Sequence, residues 1–220
     1  MCGRFTQNFT WQELHNLYRL TNPLVPNLQP SWNIAPNQDV GVIVNEDSGR
    51  IYKPMRWGLI PFWAKDEKIG HQLINARLES AAGKPAFRAA WKERRCLVPA
   101  SGFYEWRGFT PPGQKKTFKQ PFYISRKDGL PLTFAGLWDR WGKDRLLTFT
   151  ILTTEACESI KDIHTRMPVM LDPAALDAWL GGGNPLLSAD LDQAVSAAPV
   201  SPRMNKPSYN APDCIEPLVA

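Results

Sequence analysis

The second residue of this 220-residue sequence is a cysteine. A small side chain at position 2 generally permits removal of the initiator methionine, and Cys2 would then carry a free α-amine beside its thiol. Such a 1,2-aminothiol can condense with an aldehyde to an imine, after which the sulfur closes a five-membered thiazolidine ring on the same carbon. Ring closure is entropically favoured because both nucleophiles belong to one residue. Position alone does not establish this chemistry, since many proteins have a small residue after the start.

Two other titratable residues stand in segments that suggest chemistry. Glu105 lies between bulky aromatic residues in a segment with strand character. A partly desolvated carboxylate has a raised pKa and can shuttle protons, whereas the same residue on the solvent face of a strand would be inert. His164 lies in the segment DIHTRMP at 162–168, and a lone histidine is more typical of a surface or hydrogen-bonded structural residue than of a catalyst.

A third group combines an amide, a guanidinium and aromatic rings. Asn75 and Arg77 are separated by one residue, so their side chains share a face if this segment is extended. Together they suit an oxygen atom and a phosphate, although Arg77 could instead pair with a nearby acid such as Glu79. Phe62 and Trp63 could stack an unpaired base beside a basic groove, but aromatic residues next to prolines are also typical of a core.

Composition indicates an ordinary globular chain with a mild basic bias. The formal net charge of +5 is compatible with a polyanionic partner. The four cysteines form no CxxC pair and have no histidine at zinc-ligand spacing, so we expect no metal and no cofactor. The start resembles no signal peptide and no stretch reaches transmembrane length, which predicts a cytoplasmic protein with reduced thiols.

The elements that would position these residues are mostly strands. A capping box from Thr10 to Glu13 predicts a first helix that ends near Asn22 and Pro23. The predicted strands are 40–44, 50–58, 96–106, 121–126, 132–138, 146–153 and 163–171. Because sequential strands are joined by short turns, we expect an α+β fold with a mainly antiparallel, barrel-like β core flanked by short helices. Neither a repeat nor a linker interrupts the sequence, which predicts a single domain over residues 1–220.

Six short motifs occur in a fixed order along the chain. They are MCGRF at 1–5, WNIAP at 32–36, WGLIP at 57–61, INARLE at 74–79, GFYEW at 102–106 and IHTRMP at 163–168. Together they closely resemble the SOS-response-associated peptidase (SRAP) family of the YedK/HMCES type, over residues 1 to about 170. A further family-like segment, PVSP, follows at 199–202. Each motif alone is weak, but the ordered series with a cysteine at position 2 is specific.

The resemblance implies a function in DNA damage. Members of this family capture abasic sites in single-stranded DNA, because the ring-opened sugar presents an aldehyde to the N-terminal aminothiol. The expected product is a stable thiazolidine that shields the lesion, with lyase and autopeptidase activities also associated with the family. A monomer that binds single-stranded DNA, and is nucleoid-associated when bound, is therefore expected. Binding should depend on salt and be largely indifferent to sequence.

The resemblance also assigns roles to individual residues. The expected catalytic residues are the nucleophile Cys2, the amide of Asn75, the proton-moving carboxylate of Glu105 and the Schiff-base-assisting His164. The expected DNA-binding residues are Arg4, Trp63, Arg77, Thr153 and Arg166. An adjacent aromatic pair often seen in the family is Trp63 and Ala64 here, so the stacking surface departs from the family pattern.

Two other functions remain open from the residues alone. Cys2, His164 and Asn75 have the residue types of a cysteine peptidase triad. Alternatively, the aromatic and arginine residues would suffice for a non-covalent single-stranded-DNA-binding module, which would leave Cys2 and Glu105 without a purpose.

Overall fold

The strands assemble into two sheets that share a core. The computed structural model describes residues 2–110, 113, 116–185, 187 and 190–218. Its strands are β1 (Phe5–Gln7), β2 (Ser31–Ile34), β3 (Asp39–Glu46), β4 (Gly49–Trp57), β5 (Asn75–Arg77), β6 (Arg95–Ala100), β7 (Gly102–Phe109), β8 (Phe118–Arg126), β9 (Leu132–Trp141), β10 (Leu146–Glu155), β11 (Arg166–Pro168) and β12 (Val195–Pro199).

The helices are short and lie between or beside the strands. They are α1 (Trp11–Tyr18), α2 (Leu78–Ala81), α3 (Arg88–Glu93), α4 (Glu158–Lys161), α5 (Leu176–Leu180) and α6 (Leu191–Ala194). Short 3₁₀ helices occur at Glu67–Gln72, Pro173–Ala175, Pro202–Asn205 and Pro212–Ile215.

One sheet closes on itself. Its strand order β10-β4-β3-β6-β9 returns to β10 through the β9–β10 ladder, which makes a five-stranded barrel. The β4–β10 pair is parallel while the other neighbours are antiparallel. The second sheet is antiparallel, in the order β12-β8-β7-β1-β2. The predicted α+β fold with a barrel-like, mainly antiparallel core is therefore confirmed.

Aromatic side chains join the barrel to the second sheet. Phe5 of β1 packs edge-on against Trp57 of β4, with ring centroids 5.0 Å apart, and Phe103 of β7 packs against Phe134 of β9 at 5.8 Å. These side chains are fully buried. Because β1 and β7 are pinned to the barrel by this cluster, the residues at their ends take fixed positions at the seam between the two sheets.

The first helix begins where the sequence predicts. The Thr10 hydroxyl accepts a hydrogen bond from the Glu13 amide, and the Glu13 carboxylate accepts one from the Thr10 amide at 2.6 Å, which completes the capping box. The helix ends at Tyr18, earlier than predicted, because Arg19 adopts a left-handed conformation with φ of 53°.

Two of the predicted strands are wrong in extent. The segment 96–106 is divided at Ser101, where the chain leaves the barrel and enters the second sheet; the Ser101 amide there donates to the Thr6 carbonyl. The segment 163–171 is paired as a named strand only from Arg166, because the Ile163 and His164 amides donate back to the Ile160 carbonyl and complete a turn. His164 consequently lies in a turn directly before β11.

Candidate functional site

Cys2 is buried at the seam just before β1. It is 0% exposed and belongs to the core cluster around Phe5 and Trp57, with its Sγ 3.8 Å from the Arg4 carbonyl oxygen. Burial raises the pKa of the thiol far above its ordinary value, and the negative charge of Glu105 raises it further. The thiol is therefore protonated at neutral pH and needs a base before its sulfur can act as a nucleophile.

Glu105 is brought beside Cys2 by the pairing of β1 with β7. Phe5 lies opposite Phe103, and the Tyr104 amide donates to the Arg4 carbonyl at 3.0 Å, so the same register sets Glu105 across from Gly3. Glu105 is 2% exposed, which excludes the solvent-facing alternative. Burial raises the pKa of its carboxyl, and the charge of His164 opposes this rise. A carboxyl with a raised pKa keeps its proton to higher pH than an ordinary one, which suits it to exchange a proton with a neighbouring group.

His164 reaches the site from the turn that precedes β11. Its Nδ1 accepts a hydrogen bond from the Arg166 amide at 3.0 Å. The same Nδ1 lies 3.1 Å from the Arg166 carbonyl oxygen, so two backbone groups of Arg166 hold the ring in place. The electrostatic effect of His164 on Glu105 links the two groups across the seam.

Asn75 contributes an amide from the barrel side. Its strand β5 runs parallel to β10, with Asn75 opposite Ile151. The Asn75 Nδ2 donates to the Cys2 carbonyl oxygen at 2.8 Å and thereby holds the backbone of the cysteine. Among the residues that the structure describes, the buried Oδ1 of the same amide has no hydrogen-bond partner, so it remains an available acceptor.

Four predicted catalytic residues are thus assembled from separate parts of the chain. Cys2 and Glu105 come from the second sheet, Asn75 from the barrel and His164 from a turn. A buried thiol, a buried carboxyl, an imidazole and an amide at one seam can move protons around a reaction at the N-terminal residue.

The arginines near this seam differ in what they contact. Arg166 forms a bidentate ion pair with Glu79, at 2.8 and 2.9 Å, and donates to the Thr153 carbonyl at 2.6 Å. Hydrogen bonding from Arg166 lowers the pKa of Glu79. The alternative pairing of Arg77 with Glu79 is not formed as an ion pair: Glu79 binds Arg166 instead, and the exposed Arg77 acts on Glu79 only through its charge, which helps to lower the pKa of that carboxyl.

Arg4 and Thr153 are more deeply built into the fold. The Arg4 guanidinium donates to Asn33 Oδ1 at 2.7 Å and to the carbonyls of Met204 and Asn205 at 3.1 and 3.2 Å. Thr153 is fully buried in β10. Both residues therefore shape the walls beside the seam.

Sequence reasoning missed one basic residue near this surface. Lys161, at the end of α4, lines an open depression together with Arg77, Thr165 and Arg166. Lys161 lies five residues before Arg166 and outside the IHTRMP motif, so it gave no motif signal. Only the α4 turn brings it to the same side as Arg77.

Phe62 and Trp63 stand on a rigid exposed turn. Phe62 is 60% exposed and Trp63 is 49% exposed, so the interpretation of these rings as core is wrong. The turn is anchored by the Phe62 amide, which donates to Asp139 Oδ2 at 3.1 Å. Its base is tight: Gly58 has φ of 129°, and a Cβ there would lie 2.7 Å from the Gly70 carbonyl oxygen.

Within the described part of the chain, no cluster of histidine, cysteine, aspartate or glutamate side chains is suited to hold a metal ion. None of the helices in that part is long and apolar enough to cross a membrane.

Comparisons with known proteins agree with one another. The model of the SOS response associated peptidase (SRAP) family matches residues 1–207. The abasic site processing protein YoqW of Bacillus subtilis (strain 168) is 39% identical over 228 residues, covering 98% of this chain and 99% of that protein. The abasic site processing protein HMCES of Rattus norvegicus is 32% identical over 233 residues, covering 86% of this chain and 65% of that protein.

A solved structure supports the fold independently. A crystal structure of a protein from Bacteroides thetaiotaomicron has a TM-score of 0.81 at 24% sequence identity, covering 99% of this chain and 100% of that chain. Together with the match over residues 1–207 and the identity to YoqW, this agreement confirms the resemblance inferred from the six motifs. The chain belongs to the SOS response associated peptidase (SRAP) family.

Proposed function

We propose that this protein processes abasic sites in single-stranded DNA by covalent capture at Cys2 after removal of Met1. The observation that carries this proposal is the group of Cys2, Glu105, His164 and Asn75 at the seam between the sheets, in which Cys2 and Glu105 are buried. The names of the relatives YoqW and HMCES, both abasic site processing proteins, support the same substrate.

The proposed reaction joins Cys2 to the aldehyde carbon of a ring-opened abasic sugar. The α-amine adds to the carbonyl to give a carbinolamine, which loses water and becomes an imine. The Cys2 sulfur then bonds to the imine carbon, and the thiol proton is transferred to the imine nitrogen. One C–N and one C–S bond form, one water molecule is released, and no oxidant or reductant is needed.

The surroundings of Cys2 favour attack by the amine before the thiol. The reference pKa of an α-amine is about 7.7–8.0, so part of it is neutral at physiological pH. The buried thiol has a strongly raised pKa and remains protonated until a base removes its proton. Glu105 is suited to that task and to protonating the departing hydroxyl, because its own pKa is raised. We assign His164 to assist the imine step and its reversal, which would also permit lyase chemistry through the imine.

The DNA strand would approach over the exposed side of the seam. Trp63 offers an accessible ring for base stacking, and Arg77 offers a guanidinium that has no ion pair with a described acid. Arg4 and Arg166 would face phosphates with the guanidinium N–H groups that are not used in internal hydrogen bonds. Thr153 would form the wall beside the lesion.

A cysteine peptidase is less well supported. In such a triad the asparagine accepts a hydrogen bond from the imidazole and orients it. Here the Asn75 amide donates to the Cys2 carbonyl, and its Oδ1 has no hydrogen-bond partner among the described residues. The raised pKa of Cys2 also disfavours the thiolate that a peptidase needs.

The proposed function is tested by an adduct that survives denaturing electrophoresis. The protein should be incubated with single-stranded DNA that carries one natural abasic site, and with the same strand carrying a tetrahydrofuran analogue. We expect a DNA–protein band with the first strand and none with the second, because the analogue has no aldehyde. Equal bands with both strands, or none with either, would contradict covalent capture.

Substitution of Asn75 should slow the capture without preventing it. Asn75→Asp replaces the donor that holds the Cys2 carbonyl with a carboxylate that repels it. We expect the single-turnover rate of adduct formation to fall about tenfold. Loss of a hydrogen bond that contributes about 1.4 kcal/mol to the positioning of Cys2 corresponds to that factor. Asn75→Ala, which removes the donor without adding charge, is the milder control. A rate unchanged in both variants would show that this hydrogen bond does not position Cys2.

A further inference from the structure

The β7–β8 hairpin extends beyond the proposed site as a basic and aromatic arm. Between Trp106 and Phe122 the sequence contains four cationic residues and no acidic one, although acidic residues number 21 in the chain. The cations are Arg107, Lys115, Lys116 and Lys119. We use the name arm for residues 107–109 and 116–120, which the structure describes.

One face of the arm continues the face that bears Glu105. Glu105 lies opposite Phe122, and Phe109 lies opposite Phe118. Side chains two residues apart along a strand share a face, so Glu105, Arg107 and Phe109 point to the same side of the hairpin. At about 3.3 Å per residue, Phe109 lies roughly 13 Å along the strand from Glu105.

The end of this face presents two accessible rings. Phe109 is 47% exposed and Phe118 is 39% exposed, with ring centroids 5.9 Å apart at an interplanar angle of 32°. The two neighbouring rings form a small apolar patch that is accessible to a partner with flat, stacking groups.

Two cations of the arm lie against aromatic rings. The Arg107 guanidinium carbon is 4.7 Å from the centre of the Phe122 ring, and Lys116 Nζ is 5.4 Å from that of Phe118. Neither cation forms an ion pair with an acidic residue that the structure describes. Their charges are therefore available to an anionic partner.

We propose that the arm binds the DNA strand that flanks the captured nucleotide, with bases against Phe109 and Phe118 and phosphates near the cations. This inference rests on the proposed function and extends its substrate contact beyond the covalent site. Uncompensated positive charge beside stacking faces matches single-stranded nucleic acid, which offers a charged backbone and a π-face on every base. The arm has no acidic residue that would favour a basic protein partner.

The experiment measures reversible binding of undamaged DNA, so that it does not depend on the covalent step. A fluorescent strand of about twenty nucleotides, longer than one binding site of this kind, is titrated with each protein. For Phe109→Ala/Phe118→Ala we expect about tenfold weaker binding, as stacking losses of this size are usual. For Arg107→Gln/Lys116→Gln/Lys119→Gln, the slope of log affinity against log salt should decrease in magnitude by roughly 2, at about 0.7 per phosphate contact.

A matched control lies at the other end of β8. Lys127 is exposed and Leu130 is 58% exposed, and Lys127→Gln/Leu130→Ala should bind DNA like the unchanged protein. Unchanged affinity and salt slope in both arm variants, or an equal loss in the control, would overturn the proposal for the arm. The unchanged protein separates the two proposals: DNA binding without an adduct contradicts only the capture chemistry, whereas no DNA binding contradicts both.

Discussion

Cys2→Ala protein should form no adduct that survives denaturation when it is incubated with single-stranded DNA carrying a natural abasic site. The variant loses the sulfur that closes the thiazolidine, but it keeps an α-amine once Met1 is removed. Its imine should therefore form and hydrolyse again, and reduction with borohydride should trap it as a stable cross-link. Denaturing electrophoresis with and without borohydride separates the two stages, and Cys2→Ser is the closer match in size.

The free N-terminus is as important as the sulfur in this prediction. The fraction of protein that forms an adduct should equal the fraction that lacks Met1, as measured by intact-mass spectrometry before the reaction. Two outcomes would contradict the aminothiol mechanism. One is an adduct formed by protein that retains Met1, and the other is an adduct of Cys2→Ala that survives denaturation without borohydride.

Glu105→Gln should slow adduct formation by about 100-fold, the lower part of the range for loss of a general acid–base group. The amide cannot donate a proton to the departing hydroxyl or accept one from the buried thiol. Single-turnover rates at saturating DNA measure this effect, and fluorescence titration of undamaged DNA measures reversible affinity. We expect the affinity to remain within about twofold, since Glu105 is buried and a loss of 0.4 kcal/mol corresponds to that factor. A parallel loss of affinity would mean that Glu105 supports the DNA surface instead.

The pH dependence gives an independent test of the same residue. Burial raises the pKa of Glu105, so its acid form persists above the ordinary carboxyl range. If protonated Glu105 assists loss of water, the rate declines as pH rises through this raised pKa, and Glu105→Gln should lack that decline. A decline of equal position and depth in the variant would assign it to another group.

Protein stability separates a catalytic role from a structural one. A carboxyl whose pKa is raised on folding binds more protons in the native state, so the free energy of unfolding falls as pH rises from about 4.3 towards the raised pKa. Above the ordinary carboxyl range, ionising the buried Glu105 therefore costs stability. Glu105→Gln should melt no lower than the unchanged protein at pH 7, and a markedly lower melting temperature would indicate a structural function.

Local patterns were sufficient for the family and for the chemically active residue types. Each of the four expected catalytic residues lies in a short motif that can be recognised without knowledge of the fold; they are Cys2, Asn75, Glu105 and His164. The capping box at Thr10 was equally legible, because all its hydrogen bonds lie within four residues. The alternation and turn signals also predicted a barrel-like β core, since strand periodicity is a local property.

Properties that depend on distant partners were not accessible in this way. The acid that pairs with Arg166 is Glu79, which is 87 residues away in sequence, although Arg77 is only two residues from that acid. Phe62 and Trp63 have the composition of core residues, yet the turn above Gly58 holds them in solvent. The division of the segment 96–106 at Ser101 depends on which sheet each half joins, and an uninterrupted apolar run carries no information about that choice.

Residue types and their spacing thus identified an aminothiol at Cys2 and the family to which the chain belongs, because the chemistry of a side chain and a short motif are both properties of the local sequence. Only the tertiary structure buried Cys2 against Glu105 and bonded its carbonyl to Asn75. It also aligned Glu105 with the exposed rings of the β7–β8 hairpin. The contacts of Cys2 join segments about 70 to 100 residues apart in the sequence, and they set the pKa shifts that the chemistry requires.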